Sequence, residues 1–491
     1  MKRTFTEIVD DRTRHGFLRI SGRFWGRIFR ARTPNSDSVL PTNQYLRLSI
    51  PYPMLVLKFG GTSVGSAERM KSLVPLISDA RPKIVVLSAM SGTTNALVQI
   101  GFTLYSREID KARSMIGALE AKYMTVVDEL FSREESKAKG WELVREHFEY
   151  LRSFTIDMFT ANEEKAVLAQ GELLSTALVQ YHLEEIGMKS ALLPALNFMR
   201  IDANEEPDLD YIEAELKSEL EKHPGVDLFI TQGYICRNSF GEIDNLKRGG
   251  SDYTATLIGA ALKSEEVQIW TDIDGMHNND PRIVDKTFPI SELSFDEAAE
   301  LAYFGAKILH PTCVLPAQRK NVPVRLLNTM QPEAKGTLIG GTPPGDRITA
   351  VAAKDGITAI KIRSARMLLA YGFLRSVFEV FERYRTPIDM ITTSEVAVSL
   401  TIDNPNHVDE IIEELKSFGQ VEVDRDQAII CIVGTFGKDK QGYASRVFDS
   451  LKNIPIRMIS YGGSENNISI LVEGGMKKQA LQALNSGLFN L

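Results

Sequence analysis

Lys58, Gly60, Gly61, Thr62 and Ser63 stand where a short apolar run ends and a helical pattern begins. Leu55–Lys58 reads as a buried strand. The helical pattern starts at Ala67, with Ser66 available as its cap. A strand that enters a glycine-rich turn and then a helix presents bare backbone N–H groups to a phosphate. Lys58 adds a mobile positive charge at the strand end. The pattern is not a Walker loop, because the lysine precedes the glycines instead of following them. An ordinary tight turn with a solvated lysine is the competing reading of these residues alone.

Further segments follow: Leu87-Ser-Ala-Met-Ser-Gly-Thr-Thr-Asn95, Gly171-Glu-Leu-Leu-Ser-Thr176, Arg248-Gly-Gly-Ser-Asp-Tyr-Thr254, Trp270-Thr-Asp-Ile-Asp-Gly-Met-His-Asn-Asn-Asp-Pro-Arg282, Gly305-Ala-Lys-Ile-Leu-His-Pro311 and Ile391-Thr-Thr-Ser-Glu395. In this order, after Lys58-Phe-Gly-Gly-Thr-Ser63, the set resembles the aspartokinases of the amino acid kinase family, over about Met54 to Leu491. The likeness is greatest to their single-function, lysine-sensitive class. It implies a three-layer parallel-sheet kinase domain followed by two α+β, ferredoxin-like ACT domains.

The resemblance also implies a reaction, the ATP-dependent phosphorylation of the side-chain carboxylate of L-aspartate in a cytoplasmic enzyme. Lys58, Gly60 and Gly61 would neutralise the moving phosphoryl group, and Asp252 would organise the catalytic lysines. A helix N-cap is the plain alternative for Asp252. The acceptor carboxylate is ionised at neutral pH, so no general base is required. Positioning and charge neutralisation carry the reaction instead. Arg248 would grip the α-carboxylate as a bidentate fork and Glu172 the α-ammonium, with Thr94 and Ser251 as hydroxyl contacts. Taken alone, Glu172 equally fits a solvated acid in a helix's first turn. Lys58, Thr271, Asp272, Arg282 and Lys307 would face the nucleotide. Magnesium is expected with the nucleotide phosphates, without a protein ligand assigned to it.

An end-product amino acid, with lysine as the expected one, would bind in the first ACT-like module. Met367, Phe373, Leu374, Asp389, Thr393, Ser394 and Glu395 are its candidate contacts, and Asp389 and Glu395 are the carboxylates for an ε-ammonium. Three departures from the family pattern stand out. Lys247 replaces a small residue before Arg248, His277 stands where tyrosine is common, and Met367-Leu-Leu-Ala370 is less polar than in lysine-sensitive relatives. Two other functions remain in view: a kinase for another acceptor of the superfamily, and a catalytically silent amino-acid sensor.

Around these residues the chain must supply two different architectures. Its 491 residues exceed one ordinary domain. From Met54 to about Gly341, strand candidates alternate with helical patterns. The strands are Leu55–Lys58, Lys83–Ser88, Ser190–Pro194, Asp227–Thr231, Val267–Thr271 and Val322–Leu327. The helices include Ala67–Ser78, Glu172–Ile186, Asp252–Leu262 and Phe295–Leu309. Such alternation predicts a parallel sheet with helices on both faces. Tyr105 to Lys165 reads as a helical lobe, and Gly336 to Gly345 as a linker.

Thereafter Pro387-Ile-Asp-Met-Ile391 echoes Pro455-Ile-Arg-Met-Ile459 at an offset of 68 residues. This marks a duplicated β-α-β-β unit. The boundaries expected are 1–53 extension, 54–341 catalytic domain, 342–356 linker and strand, 357–426 first module and 427–491 second module. Asp389 and Arg457 carry opposite charge at the duplicated position, which predicts one effector site per chain. Edge strands of the modules predict a homodimer or higher oligomer.

Composition narrows the partners. Net charge is −7, but residues 1–52 hold ten Lys+Arg against four Asp+Glu, leaving −13 on the rest. An acidic body argues against nucleic acid. No apolar run reaches membrane-spanning length, and three scattered cysteines suit a reducing compartment. The basic leader reads as a disordered extension ahead of Met54, with an organellar transit peptide as the competing reading.

Overall fold

In the computed structural model, residues 54–491 are described, apart from 157, 247–248, 306–308, 342–346, 368–370 and 437–440. The basic leader therefore lies outside the described residues, as do Lys247, Arg248 and Lys307.

The first strand, β1 (Leu55–Phe59), is buried on both faces. Its alternation feeds two cores: Met54 and Val56 join one apolar cluster, while Leu55, Leu57 and Phe59 join another. That two-sided burial forces a three-layer arrangement. Ser66 caps α1 (Ala67–Ile77) by accepting from the Arg69 amide. Next come β2 (Lys83–Leu87), α2 (Thr93–Tyr105) and the helical lobe, made of α3 (Ile109–Leu130), α4 (Glu134–Ser153) and α5 (Ala161–Glu185). Helix α5 starts eleven residues before Glu172, at a capping box formed by Thr160 and Glu163. Glu172 is therefore in mid-helix, which corrects the expected start.

The domain continues through β3 (Ala191–Leu193), α6 (Ala195–Phe198), α7 (Leu209–Glu221), β4 (Leu228–Gln232), the small hairpin β5 (Ile235–Arg237) and β6 (Ile243–Asn245), α8 (Gly250–Leu262) and β7 (Glu266–Thr271). It closes with β8 (Glu292–Ser294), α9 (Phe295–Tyr303), α10 (Pro311–Lys320), β9 (Val324–Asn328) and β10 (Thr337–Gly340). The main sheet runs β3-β4-β2-β1-β7-β9-β10-β8. Strands β3 to β9 in that order are parallel, but β10 is antiparallel to β9. Two expectations fail here. The stretch read as a linker contains β10, a paired strand, and the helix expected over Phe295–Leu309 ends at Tyr303. Glycines that punctuate a loop also admit close backbone approach: at Gly336, φ is +64 and a Cβ would lie 1.8 Å from the Leu326 carbonyl oxygen.

The C-terminal part, from Ile348, is built on one six-stranded antiparallel sheet. Its elements are β11 (Ile348–Arg363), α11 (Phe373–Arg383), β12 (Met390–Thr393), β13 (Ala397–Ile402), α12 (Val408–Leu415), β14 (Gln420–Gly434), α13 (Tyr443–Ser450), β15 (Met458–Tyr461), β16 (Asn467–Glu473) and α14 (Lys477–Phe489). The order is β12-β13-β11-β14-β16-β15. The long strands β11 and β14 each serve both modules, with register shifts between Lys354 and Ala359. Gly356 (φ +73) and Asp426 (φ +55) mark the crossings.

Consequently the second module is not the linear piece 427–491. Its fourth strand is residues 348–354, which pair with 429–434, so the first module is nested inside the second. Duplicated positions remain equivalent: the Asp389 amide donates to the Thr401 carbonyl as the Arg457 amide donates to that of Leu471.

Candidate active site and its family

Every described candidate for phosphate or substrate contact, except Glu172, Thr94 and Arg282, sits at or just beyond a carboxyl end of a parallel strand, or on α8 below it. Strand order reverses direction between β1 and β7, and ligand crevices open at such points. Lys58, the penultimate residue of β1, reaches Asp252, in the first turn of α8, with Nζ–Oδ1 2.6 Å. Both are mostly buried, 12% and 15% exposed. The contact is electrostatic: Asp252 Oδ1 makes no hydrogen bond among the described residues. An ammonium carries three N–H donors, so the pair leaves donors for a ligand.

Helix α8 begins after Gly249, at φ +75, where a Cβ would lie 1.9 Å from Cys313 Sγ. Burial, followed by the charge of Asp252, pushes the Cys313 thiol up to about 12, so it stays neutral behind the pair. Gly61 is as constrained, because a Cβ would meet the Ala89 carbonyl oxygen at 2.9 Å. Ser91 N–H donates to the Gly61 carbonyl, seating this turn on the loop after β2.

The acceptor side is built around Glu172, only 3% exposed. Burial raises its carboxyl to about 8, against the lowering effect of the Ala89 amide. Its Oε2 has no partner among the described residues. A buried carboxyl with spare acceptor capacity suits a ligand cation. Ser251 is buried and accepts a hydrogen bond from Ser88 at 2.9 Å, and Ser175 in turn donates to the Ser88 carbonyl at 2.8 Å. A hydroxyl that accepts from Ser88 keeps its own proton for a ligand. Thr94 lies exposed in the first turn of α2, while its neighbour Thr93 is buried and bonded to Tyr123.

Ser88, Ser175 and Gly233 were not singled out from sequence. For Ser88 the signal was its place directly after an apolar strand. Gly233 admits no side chain, since a Cβ would lie 2.3 Å from Ser251 Oγ. Gly233→Ala is expected to raise KM for the acceptor at least about 10-fold, with KM for ATP within about twofold of wild type. Steady-state kinetics with each substrate varied in turn is the check.

Candidates for the nucleotide side divide. Thr271 ends β7, and its carbonyl accepts from the Thr329 hydroxyl at 2.8 Å. Asp272 is exposed beside it. Arg282 is not brought to Lys58. It is 78% exposed and pairs with Asp280 through two hydrogen bonds of 2.7 and 2.9 Å, which hold the Asp280 carboxyl below its usual value. Its turn packs on the regulatory half, where Val284 enters the second module's core and Asn279 donates to the Leu481 carbonyl. His277 is bonded to Thr287 and Asp274 within its own loop, which leaves it a structural role.

In the first module, Met367 ends a single 3-10 turn, Phe373 opens α11 and Leu374 is partly exposed. Thr393, Ser394 and Glu395 are exposed on the β12–β13 hairpin. Asp389 is separated from them by burial: its side chain is 1% exposed and pairs with Lys354 at 2.8 Å.

The domain that carries this site is one of the amino acid kinase family. The model of the amino acid kinase family matches residues 53–328, and an ACT domain model matches 430–488. Lysine-sensitive aspartokinase 3 of Escherichia coli is 34% identical over 89% of this chain and 99% of its own length. Chloroplastic aspartokinase 1 of Arabidopsis thaliana is 33% identical over 88% of this chain and 80% of its own length. Among solved structures, E. coli aspartokinase III in complex with aspartate and ADP (R-state) superposes with a TM-score of 0.75 at 33% identity. It covers 89% of this chain and 100% of its own. The same enzyme with lysine and aspartate (T-state) gives 0.73. The chain belongs to the aspartokinases.

Proposed function

We propose that the chain moves the γ-phosphoryl group of ATP to the side-chain carboxylate of L-aspartate, giving 4-phospho-L-aspartate and ADP. The observation that carries this reading is the pairing of two features at one crevice. A lysine–aspartate pair stands at the strand ends, and a buried, unpaired carboxyl stands opposite. Phosphoryl transfer between two anions needs positive charge and aligned donors more than proton chemistry. Lys58 supplies the charge, and Asp252 holds it in place. Gly60 and Gly61 let the backbone approach.

Glu172 receives the α-ammonium of the amino acid, and Arg248 its α-carboxylate. Ser251 and Thr94 add hydroxyl contacts. The carboxylate oxygen attacks phosphorus as the bond to the β-phosphate oxygen breaks, and no proton changes place. Thr271, Asp272 and Lys307 serve the nucleotide, and Arg282 joins them only on leaving its pair with Asp280. The donor set is one of lysines, arginine and amides, and the described residues hold no cluster of three metal-ligating side chains. Such a set fits magnesium entering with the nucleotide, bound by phosphate oxygens and water, where it supplies charge neutralisation.

Feedback acts through the first regulatory module, at Met367, Phe373, Leu374, Asp389, Thr393, Ser394 and Glu395, with lysine as effector and one site per chain. Arg457 replaces Asp389 at the duplicated position and pairs with Asp424 at 3.5 Å. Self-association uses the regulatory sheet, whose outer strands and hairpin expose Ile391, Val396, Ile459 and Tyr461.

The test is coupled ATP turnover with L-aspartate, succinate, L-glutamate and N-acetyl-L-glutamate as acceptors, repeated with lysine, threonine and methionine present. Turnover is expected with aspartate, and not with succinate, which lacks the α-ammonium. Equal turnover of succinate removes Glu172 from its role. Absence of turnover with aspartate removes the reading altogether.

A further inference from the structure

Helix α9 of the catalytic domain touches both regulatory modules. Glu297, Glu300 and Tyr303 recur at intervals of three and so lie on one face. Glu297 accepts from Thr349 at 2.6 Å, in the strand that completes the second module. Glu300 accepts from Ser464 at 3.0 Å and from Asn467 at 2.6 Å. Tyr303 donates to Asp389 Oδ1 at 2.6 Å.

Asp389 is at the centre of a closed ammonium cage. Lys354, on β11, sends its Nζ to Asp389 Oδ1 at 2.8 Å and to Asp403 at 2.7 Å. The same Nζ lies 4.2 Å from the centre of the Tyr303 ring. Two carboxylates and an aromatic face are what a primary ammonium requires when it leaves water. Burial opposes the lysine's charge, but the hydrogen bonds from Asp389 and Asp403 hold it above its ordinary value. Asp389 Oδ2 is buried and unpartnered among the described residues, so the cage retains acceptor capacity. With its side chain 1% exposed, Asp389 is reached by no external ligand while Lys354 and Tyr303 stay in place.

We propose that Asp389, Asp403 and the Tyr303 ring form a primary-ammonium site that Lys354 fills from within the chain, and that an amino-acid effector binds by displacing it. This rests on the reading of Asp389 as an effector carboxylate. The internal ammonium sits on the same four-carbon stem as that of free lysine, so the two compete for one acceptor set.

Displacement also has a route to the catalytic half. Moving Asp389 breaks its bond to Tyr303, the last residue of α9. Two residues on, Gly305 (φ +134) lies against β11 so closely that a Cβ would be 2.3 Å from the Ala353 carbonyl oxygen. Ala353 is next to Lys354 and Gly305 is two residues after Tyr303, so the cage and the end of α9 share one backbone contact. Packed elements of this kind shift between discrete arrangements and do not deform continuously.

The test is calorimetric titration of L-lysine, with L-norleucine as the probe lacking the ε-ammonium, into the full chain and three variants. Lys354→Met keeps the stem and removes the competitor. It is expected to bind lysine at least 10-fold more tightly than wild type, with no such gain for norleucine. Tyr303→Phe keeps the ring and removes the hydrogen bond. It is expected to bind lysine severalfold more tightly while lowering maximal inhibition of ATP turnover, because the bond to α9 is gone. Asp389→Asn is expected to lose lysine binding.

Lysine affinity within twofold of wild type in Lys354→Met, or no binding by that variant, overturns the competition. If Lys354→Met does not fold, unchanged affinity in Tyr303→Phe overturns it instead. Lysine binding retained in Asp389→Asn overturns the effector reading itself. Loss of binding there, with Lys354→Met unchanged, removes only the competition.

Discussion

Glu172→Gln will stabilise the empty protein at pH 8 and weaken its hold on aspartate. The opposite signs have one origin. The carboxyl is 3% exposed, and burial raises it to about 8 from the 4.5 of an exposed glutamate. A folded-state value above the unfolded one means that Glu172 contributes stability fully below about pH 4.5. That contribution is lost as pH rises through about 8. Glutamine has no such loss, so the stability gap between variant and wild type should widen over this interval. A pKa unit corresponds to about 1.4 kcal/mol, which puts the gap at pH 8 on the order of 2–4 kcal/mol.

Substrate reverses the sign. An α-ammonium beside Glu172 favours the ionised form, so aspartate binding below pH 8 releases a proton from this carboxyl. In wild type, kcat/KM for aspartate should rise with pH until about 8. The variant should lose this slope and show KM raised at least about 100-fold, as expected when one partner of a buried charge pair is removed. Thermal unfolding across pH 5–8 and steady-state kinetics over the same range decide it. A variant that melts like wild type at pH 8, or keeps the slope, would remove Glu172 from the site.

Lys58→Met should act on turnover instead of on binding. Nζ lies 2.6 Å from Asp252, and Lys58 stands near the carboxyl end of β1 beside the β1/β7 switch point. There its charge is worth most to the phosphoryl group in transit. Removing one such donor should lower kcat about 10²–10³-fold, with KM for aspartate within about threefold. Asp252→Asn should fall between wild type and Lys58→Met, because an amide still occupies the space but no longer anchors the ammonium. Kinetics together with unchanged thermal unfolding of Lys58→Met is the check. A fall in kcat below 10-fold would show that Lys58 is not the neutralising charge.

What the sequence by itself determined is local. Leu55 to Ser66 specified strand, turn and helix start, down to the cap at Ser66. Alternating apolar residues specified β1 and its neighbours as two-sided strands, because a parallel sheet is covered on both faces. The repeat at offset 68 specified that two modules exist. The resemblance carried by the segments around Lys58, Asp252, Glu172 and Ser251 named the chemistry.

Tertiary structure decided the rest, for a physical reason common to each case. Periodicity says which face of an element is buried, but not what covers it. The residues 348–354 were legible as part of a strand region, yet their pairing with 429–434 depends on a partner about 80 residues away. Strand β10 hid among glycines whose role is backbone approach, which has no periodic signature. Glu172, taken alone, equally fitted a solvated acid in a helix's first turn, and only the start of α5 at Ala161 showed it to be buried in mid-helix. Asp389 looked like a waiting carboxylate, and only packing showed that Lys354 and Tyr303 already hold it. Ionisation and occupancy depend on what long-range packing brings alongside a side chain, and no short stretch of sequence contains that information.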